Sequence, residues 1–101
     1  MKFVVSWKIN HLATSQTRDE VMAMFGQMTP EDDIAQMGSE ITQIARWHDA
    51  AVNGQGGGLF ETDSAPALAA FFNQWAPVFE ATITPVIDDA EMRSVIQAAN
   101  A

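Results

Sequence analysis

Phe3, Val5, Trp7 and Ile9 alternate with Lys2, Val4, Ser6 and Lys8, and this period of two predicts a first strand over residues 2–9. The next signal has a helical period. After a Thr17/Glu20 capping box, Val21, Met24, Phe25 and Met28 fall at i, i+3, i+4 and i+7. Thr29-Pro30 restarts the pattern, with Thr29 as cap and Asp32 and Asp33 in the first turn, so a short second helix ends near Gly38. Residues 40–49 return to strand character, with Ile41, Ile44 and Trp47 among polar partners. Asn53-Gly54 suits a type I′ hairpin turn, and residues 59–62 follow the glycines as a third strand. Asp63 or Ser64 caps the next helix, whose stripe is Leu68, Phe71, Phe72 and Trp75, with Pro77 just beyond its end. Residues 79–87 alternate again, and Pro85, which cannot donate to a ladder, places this fourth strand at a sheet edge. Asp88 and Glu91 cap a last helix carrying Met92, Val95 and Ile96.

Strand, helix, strand, strand, helix, strand is the split βαβ order of a ferredoxin-like α+β domain. The expected architecture is one domain, residues 1–101, with an antiparallel four-stranded sheet in the order 4-1-3-2. A short extra helix follows the first helix and another closes the chain. Helices cover one sheet face, and the other face needs its own partner.

With Asn53-Gly54 as a two-residue turn, Trp47 stands opposite Phe60, Arg46 opposite Glu61, and His48 opposite Leu59. An opposed aromatic pair and an opposed charge pair each add about 0.2–1 kcal/mol, so this register is favoured twice. Trp47 and Phe60 then join Phe3, Val5, Trp7, Phe79 and Ile83 under the helices. The other face gathers Lys8, Arg46, His48, Glu61, Glu80, Thr82 and Thr84, diluted by Val4, Ile44, Leu59 and Val86. A bulge at Gly56–Gly58 would exchange the two faces of one strand.

Composition narrows the function classes. The 101 residues are 48% hydrophobic, enough to build one core. The absence of cysteine excludes disulfides, thiolate metal sites and a cysteine nucleophile. A net charge of −8 argues against nucleic acid and against an anionic membrane surface, both of which call for clustered Lys and Arg. No apolar run approaches a bilayer span, and the alternating start is unlike a signal peptide, so the expected compartment is the cytoplasm.

Candidate chemistry centres on His48, the side chain poised near neutral pH, with Arg46 and Glu61 on the same predicted face. The sharp reading is a half-buried polar pocket in which His48 acts as acid or base. The bland one is a solvated sheet face with one cross-strand ion pair. Trp7, Trp47, Phe60, Phe71 and Trp75 supply the aromatic lining of a cleft, or else ordinary core. His11 reads as a strand-end histidine. His48 with Glu61 would give a metal only two ligands, so no metal or other cofactor is expected. Gly54–Gly58 lacks the spacing, helix start and lysine of a phosphate loop and reads as a mobile turn.

The residues so placed resemble a small family of bacterial domains of unknown function in the dimeric α/β-barrel superfamily. The likeness rests on Phe3-Val4-Val5-Ser6-Trp7, Arg46-Trp47-His48-Asp49 and Gly58-Leu59-Phe60-Glu61-Thr62-Asp63, completed by Trp75 and Thr84-Pro85-Val86-Ile87-Asp88-Asp89. Residues 27–40 are longer than is usual there, which marks the short second helix as a local elaboration. The resemblance implies a ferredoxin-like fold that pairs two sheets across a two-fold axis, hence a homodimer, and carries over no activity. Superfamily relatives include cofactor-independent monooxygenases, haem-degrading enzymes, lactone isomerases and stress-response proteins, among which the fold does not choose. The expectation is a domain that binds a small apolar or aromatic organic molecule. Its alternatives are a non-catalytic structural or regulatory homodimer, and a cofactor-independent monooxygenase or isomerase.

Overall fold

The computed structural model describes residues 1–100. Its core starts at β1 (Lys2–Ile9), where the alternation buries Val5 completely and Phe3 almost so. Capping then sets where each helix begins. In α1 (Ser15–Gln27) the Thr14 hydroxyl accepts the Thr17 N–H at 3.1 Å, so the cap is Thr14 and the helix starts earlier than the Thr17/Glu20 pattern implied. The earlier cap adds most of a turn of backbone bonds. In α2 (Pro30–Met37) Thr29 and Asp32 form the reciprocal capping box, and Gly38, at φ 82°, ends the helix as expected. The remaining elements are β2 (Thr42–His48), β3 (Gly56–Glu61), α3 (Ala65–Asn73, capped by Ser64), β4 (Phe79–Val86) and α4 (Asp89–Ala99, capped by Asp88 and Glu91).

The sheet is antiparallel in the order β2-β3-β1-β4, the expected 4-1-3-2 read from the other side, and the fold is ferredoxin-like α+β. Pro85 lies on edge strand β4. Phe3, Val5 and Phe60 from the sheet pack with Ile41 and with Leu68 of α3, and Trp7, Met37, Phe71, Phe72 and Ile83 close around them. Thr62, buried at 4% exposure, donates its hydroxyl to the Glu40 carbonyl (2.7 Å) and accepts the Ser64 N–H (3.0 Å). That one side chain joins the approach to β2 to the start of α3.

The β2–β3 register differs from the one drawn from Asn53-Gly54. Trp47 pairs with Gly57 and Arg46 with Gly58, three residues along β3 from the expected Phe60 and Glu61. Because three is odd, the shift turns the β2 side chains from Ala45 to His48 to the opposite face. Arg46 and His48 lie with Trp7 and Phe60 under the helices, while Trp47 joins Val4, Leu59 and Glu61 on the open face. The cause is local. Residues 49–55 form a wide loop closed by an Asp49 N–H to Gln55 carbonyl bond of 2.9 Å. Within it the Asp49 carboxylate accepts the Ala51 N–H and the Asn53 amide, and the Asn53 side-chain oxygen accepts the Gln55 N–H. These bonds offer the backbone an alternative to a two-residue turn. A bulge between Gln43 and Ala45 absorbs a further residue at Ile44.

Gly56–Gly58 are therefore strand, not turn, and aromatic rings occupy the space their missing side chains leave. A Cβ on Gly56 would lie 3.0 Å from the Trp7 indole nitrogen, one on Gly57 2.8 Å from the Trp47 ring, and one on Gly58 2.7 Å from the Phe60 ring. Gly56 stands between Trp7 on β1 and His48 on β2, and its bareness lets those two rings meet across the middle strand, centroids 6.2 Å apart.

Candidate functional site

The helix-covered face is not filled to its edge. Between the sheet and α1, α2 and α3 lies a cleft of about 370 Å³. Seven of the nine aromatic residues line it: Trp7, Phe60 and Phe79 from the sheet, Phe25, Phe71 and Phe72 from the helices, and Trp75 just past α3. Phe72 is the hub, stacked on Trp7 at 6.1 Å and edge-on to Phe60 and Phe71 at 5.4 and 5.0 Å. Such offset and edge-to-face contacts fix ring positions as well as bury area.

One end of the cleft is polar. The Arg46 guanidinium donates to the Asp33 carboxylate at 2.7 Å, with only 25% and 15% of the two side chains exposed. Asp33 comes from α2, so this bond ties the short extra helix to β2. The guanidinium carbon also stands 5.0 Å from the Phe25 ring centroid, a cation–π contact linking α1 to the same group. His48, two residues along the strand and on the same face, has its ring 5.3 Å from Phe25. Burial, and then the Arg46 charge, hold the His48 imidazole below its usual pKa, so its neutral form prevails at pH 7. A neutral imidazole among aromatic rings can accept a proton from a bound molecule or donate a hydrogen bond to it. Asp49 also borders the cleft, but its carboxyl is held below the usual range by the Ala51 N–H and the Asn53 amide that it accepts.

The structure brings together Trp7, Arg46, His48, Phe60 and Trp75 of the expected site, along with Phe71. Trp47 and Glu61 lie outside it on the open face, and the expected Arg46–Glu61 pair is replaced by Arg46–Asp33. Sequence reasoning read Asp33 only as a first-turn acid and Phe25 only as stripe. No local pattern in the sequence marks either one, because both reach the cleft from elements distant in the chain from β2. His11 follows β1 in the chain and meets Glu80 at 3.1 Å, an exposed contact that also involves Lys8 (3.7 Å from Glu80), and none of the three lines the cleft. Among the described residues, no three His, Asp or Glu side chains converge as metal ligands would. No helix among the described residues is long and apolar enough to cross a membrane.

No curated protein and no solved structure matches the chain. A family profile matches almost all of it, over residues 1–100, and the chain therefore belongs to the family described as "Domain of unknown function (DUF3303)".

Proposed function

We propose that the domain binds a small, largely apolar aromatic molecule in the cleft between its sheet and helices, with His48 as the group that exchanges a proton with it. The observation that supports this most is the concentration of seven of nine aromatic side chains around one open cavity that also holds a charged pair and a histidine. A purely structural core would close on itself; binding pockets of this volume are mostly aromatic, with a few converging polar groups. The test is titration with naphthalene-1-methanol, followed by indole fluorescence and by calorimetry. Saturable one-to-one binding that weakens at least tenfold in Phe72→Ala supports the reading. Absence of saturation up to the probe's solubility limit refutes it.

The open face favours a second feature, a homodimer of the kind found in the dimeric α/β-barrel superfamily. Val4, Leu59 and Val86 are only partly covered there, and Ile44 and Trp47 are 47% and 48% exposed. A two-fold partner offering the same face would cover all of them. Sedimentation equilibrium at micromolar concentration is expected to give twice the 11.0 kDa chain mass, and Trp47→Asp to restore the single mass. A monomer in the parent protein contradicts this.

A further inference from the structure

The cleft has a polarity that its aromatic walls do not explain. Arg46 carries five N–H donors in a planar fork. Among the described residues, one hydrogen bond, from a terminal nitrogen to a single Asp33 oxygen, engages the guanidinium. A carboxylate that filled the fork would take two parallel bonds. One face of the guanidinium rests near the Phe25 ring, at the border of the cleft. A mostly buried cation with unused donors, facing aromatic walls, is a recognition point for an acceptor carried on a ring.

The sign of that acceptor follows from the neighbouring groups. Asp49, which also lines the cleft, is ionised, and its two oxygens are engaged by the Ala51 N–H and the Asn53 amide, so it does not compete for the Arg46 donors. His48, on the same strand face, is held below its ordinary pKa first by burial and then by the Arg46 charge, so it enters the cleft as a neutral group. Arg46 is thus the one cation among the described residues that line the cleft, in a chain that carries −8 overall. An acceptor there also meets the Asp33 and Asp49 carboxylates, so the preference for an anion rests on the free donors of the guanidinium and not on a surplus of positive charge.

We propose that the preferred ligands of the cleft are aromatic acids, whose ring lies among Trp7, Phe25 and Phe72 and whose carboxylate occupies the free edge of the Arg46 guanidinium, in competition with Asp33. This rests on the cleft being a binding site, and adds the chemical class it selects. Asp33 is then a specificity-determining residue, since it occupies part of the guanidinium and sets how strongly an incoming acid is held.

The experiment compares 1-naphthoate with naphthalene-1-methanol, which has the same ring system and no charge, at pH 7.5 by calorimetry. The expected result is at least tenfold tighter binding of the acid. Asp33→Asn, which frees Arg46, is expected to tighten naphthoate a further three- to tenfold and leave the alcohol within twofold. The double variant Asp33→Asn/Arg46→Gln, which strands neither charge, is expected to bind both probes equally. If the alcohol binds and the acid is no tighter, or if the preference survives in the double variant, the acid class is wrong while the cleft stands. If neither probe binds, the cleft itself is not a ligand site and this inference falls with it.

Discussion

Replacing Gly58 by alanine tests the β2–β3 register through packing alone. An ideal Cβ at this position lies 2.7 Å from Cε2 of Phe60 and 2.9 Å from the Ala45 carbonyl oxygen. Phe60 is 1% exposed and sits in the core, and the carbonyl belongs to the neighbouring strand, so neither can move freely. Overpacking of this kind costs about 1–3 kcal/mol, while the loss of glycine's unfolded-state freedom returns roughly 0.4–1 kcal/mol. Gly58 does not have a positive φ, so no backbone strain enters. The expected net loss is about 1–2 kcal/mol, a fall of roughly 5–15 °C in Tm for a domain of this size. Gly26, inside α1, is the matched control: nothing lies within 4 Å of its Cβ, and Gly26→Ala is expected to stabilise by about 0.8–1 kcal/mol. Urea unfolding of both variants gives the two signs directly. In the register of a two-residue Asn53-Gly54 turn, Gly58 would stand opposite Asp49, away from the Ala45 carbonyl, and would tolerate alanine better. A Gly58→Ala change within about 0.5 kcal/mol of zero would therefore refute the observed pairing.

Three further outcomes follow from the polar end of the cleft. Asp33→Ala strands the mostly buried Arg46 charge and is expected to cost about 1.5–3 kcal/mol, as lost hydrogen bonds to charged groups do; a double-mutant cycle with Arg46→Leu giving a coupling under about 0.5 kcal/mol would reduce the pair to an ordinary surface contact. His48 binds its proton less tightly folded than unfolded, so stability should rise as pH climbs from its lowered folded value to about 6.5 and stay level above it. Arg46→Gln should move the His48 titration, followed by its ring proton resonances, back toward the ordinary value; a titration already at that value in the parent contradicts the burial and charge assigned to it.

What could be read from the sequence was what short-range chemistry decides. The Thr29-Pro30 start and Gly38 stop of α2, the Asp88/Glu91 cap of α4 and the edge position of Pro85 each depend on residues within one turn or one strand. The face assignments of β1 and β4 followed from alternation, because neither strand is interrupted. β2 was misassigned because its orientation depends on an odd or even count through a loop and a bulge. Asp49 and Asn53 both bond within the loop, and Ile44 adds a residue that no periodicity marks. The Asp33–Arg46 bond joins residues on different elements, and nothing in their spacing distinguishes it from the Arg46–Glu61 pair drawn instead. Gly56–Gly58 looked like a turn because bare backbone and close ring packing leave the same signature in sequence.

The central claim is that Arg46 and His48 point into the aromatic cleft rather than onto the open sheet face. A carbon-edited NOESY spectrum of the uniformly labelled protein tests it most directly, since protons within about 5 Å give cross-peaks. Cross-peaks from the His48 ring to the rings of Phe25 and Trp7, whose centroids lie 5.3 and 6.2 Å away, are the expected result. Cross-peaks from His48 to the Leu59 methyls, with none to Phe25, would put the histidine on the other face and contradict the site.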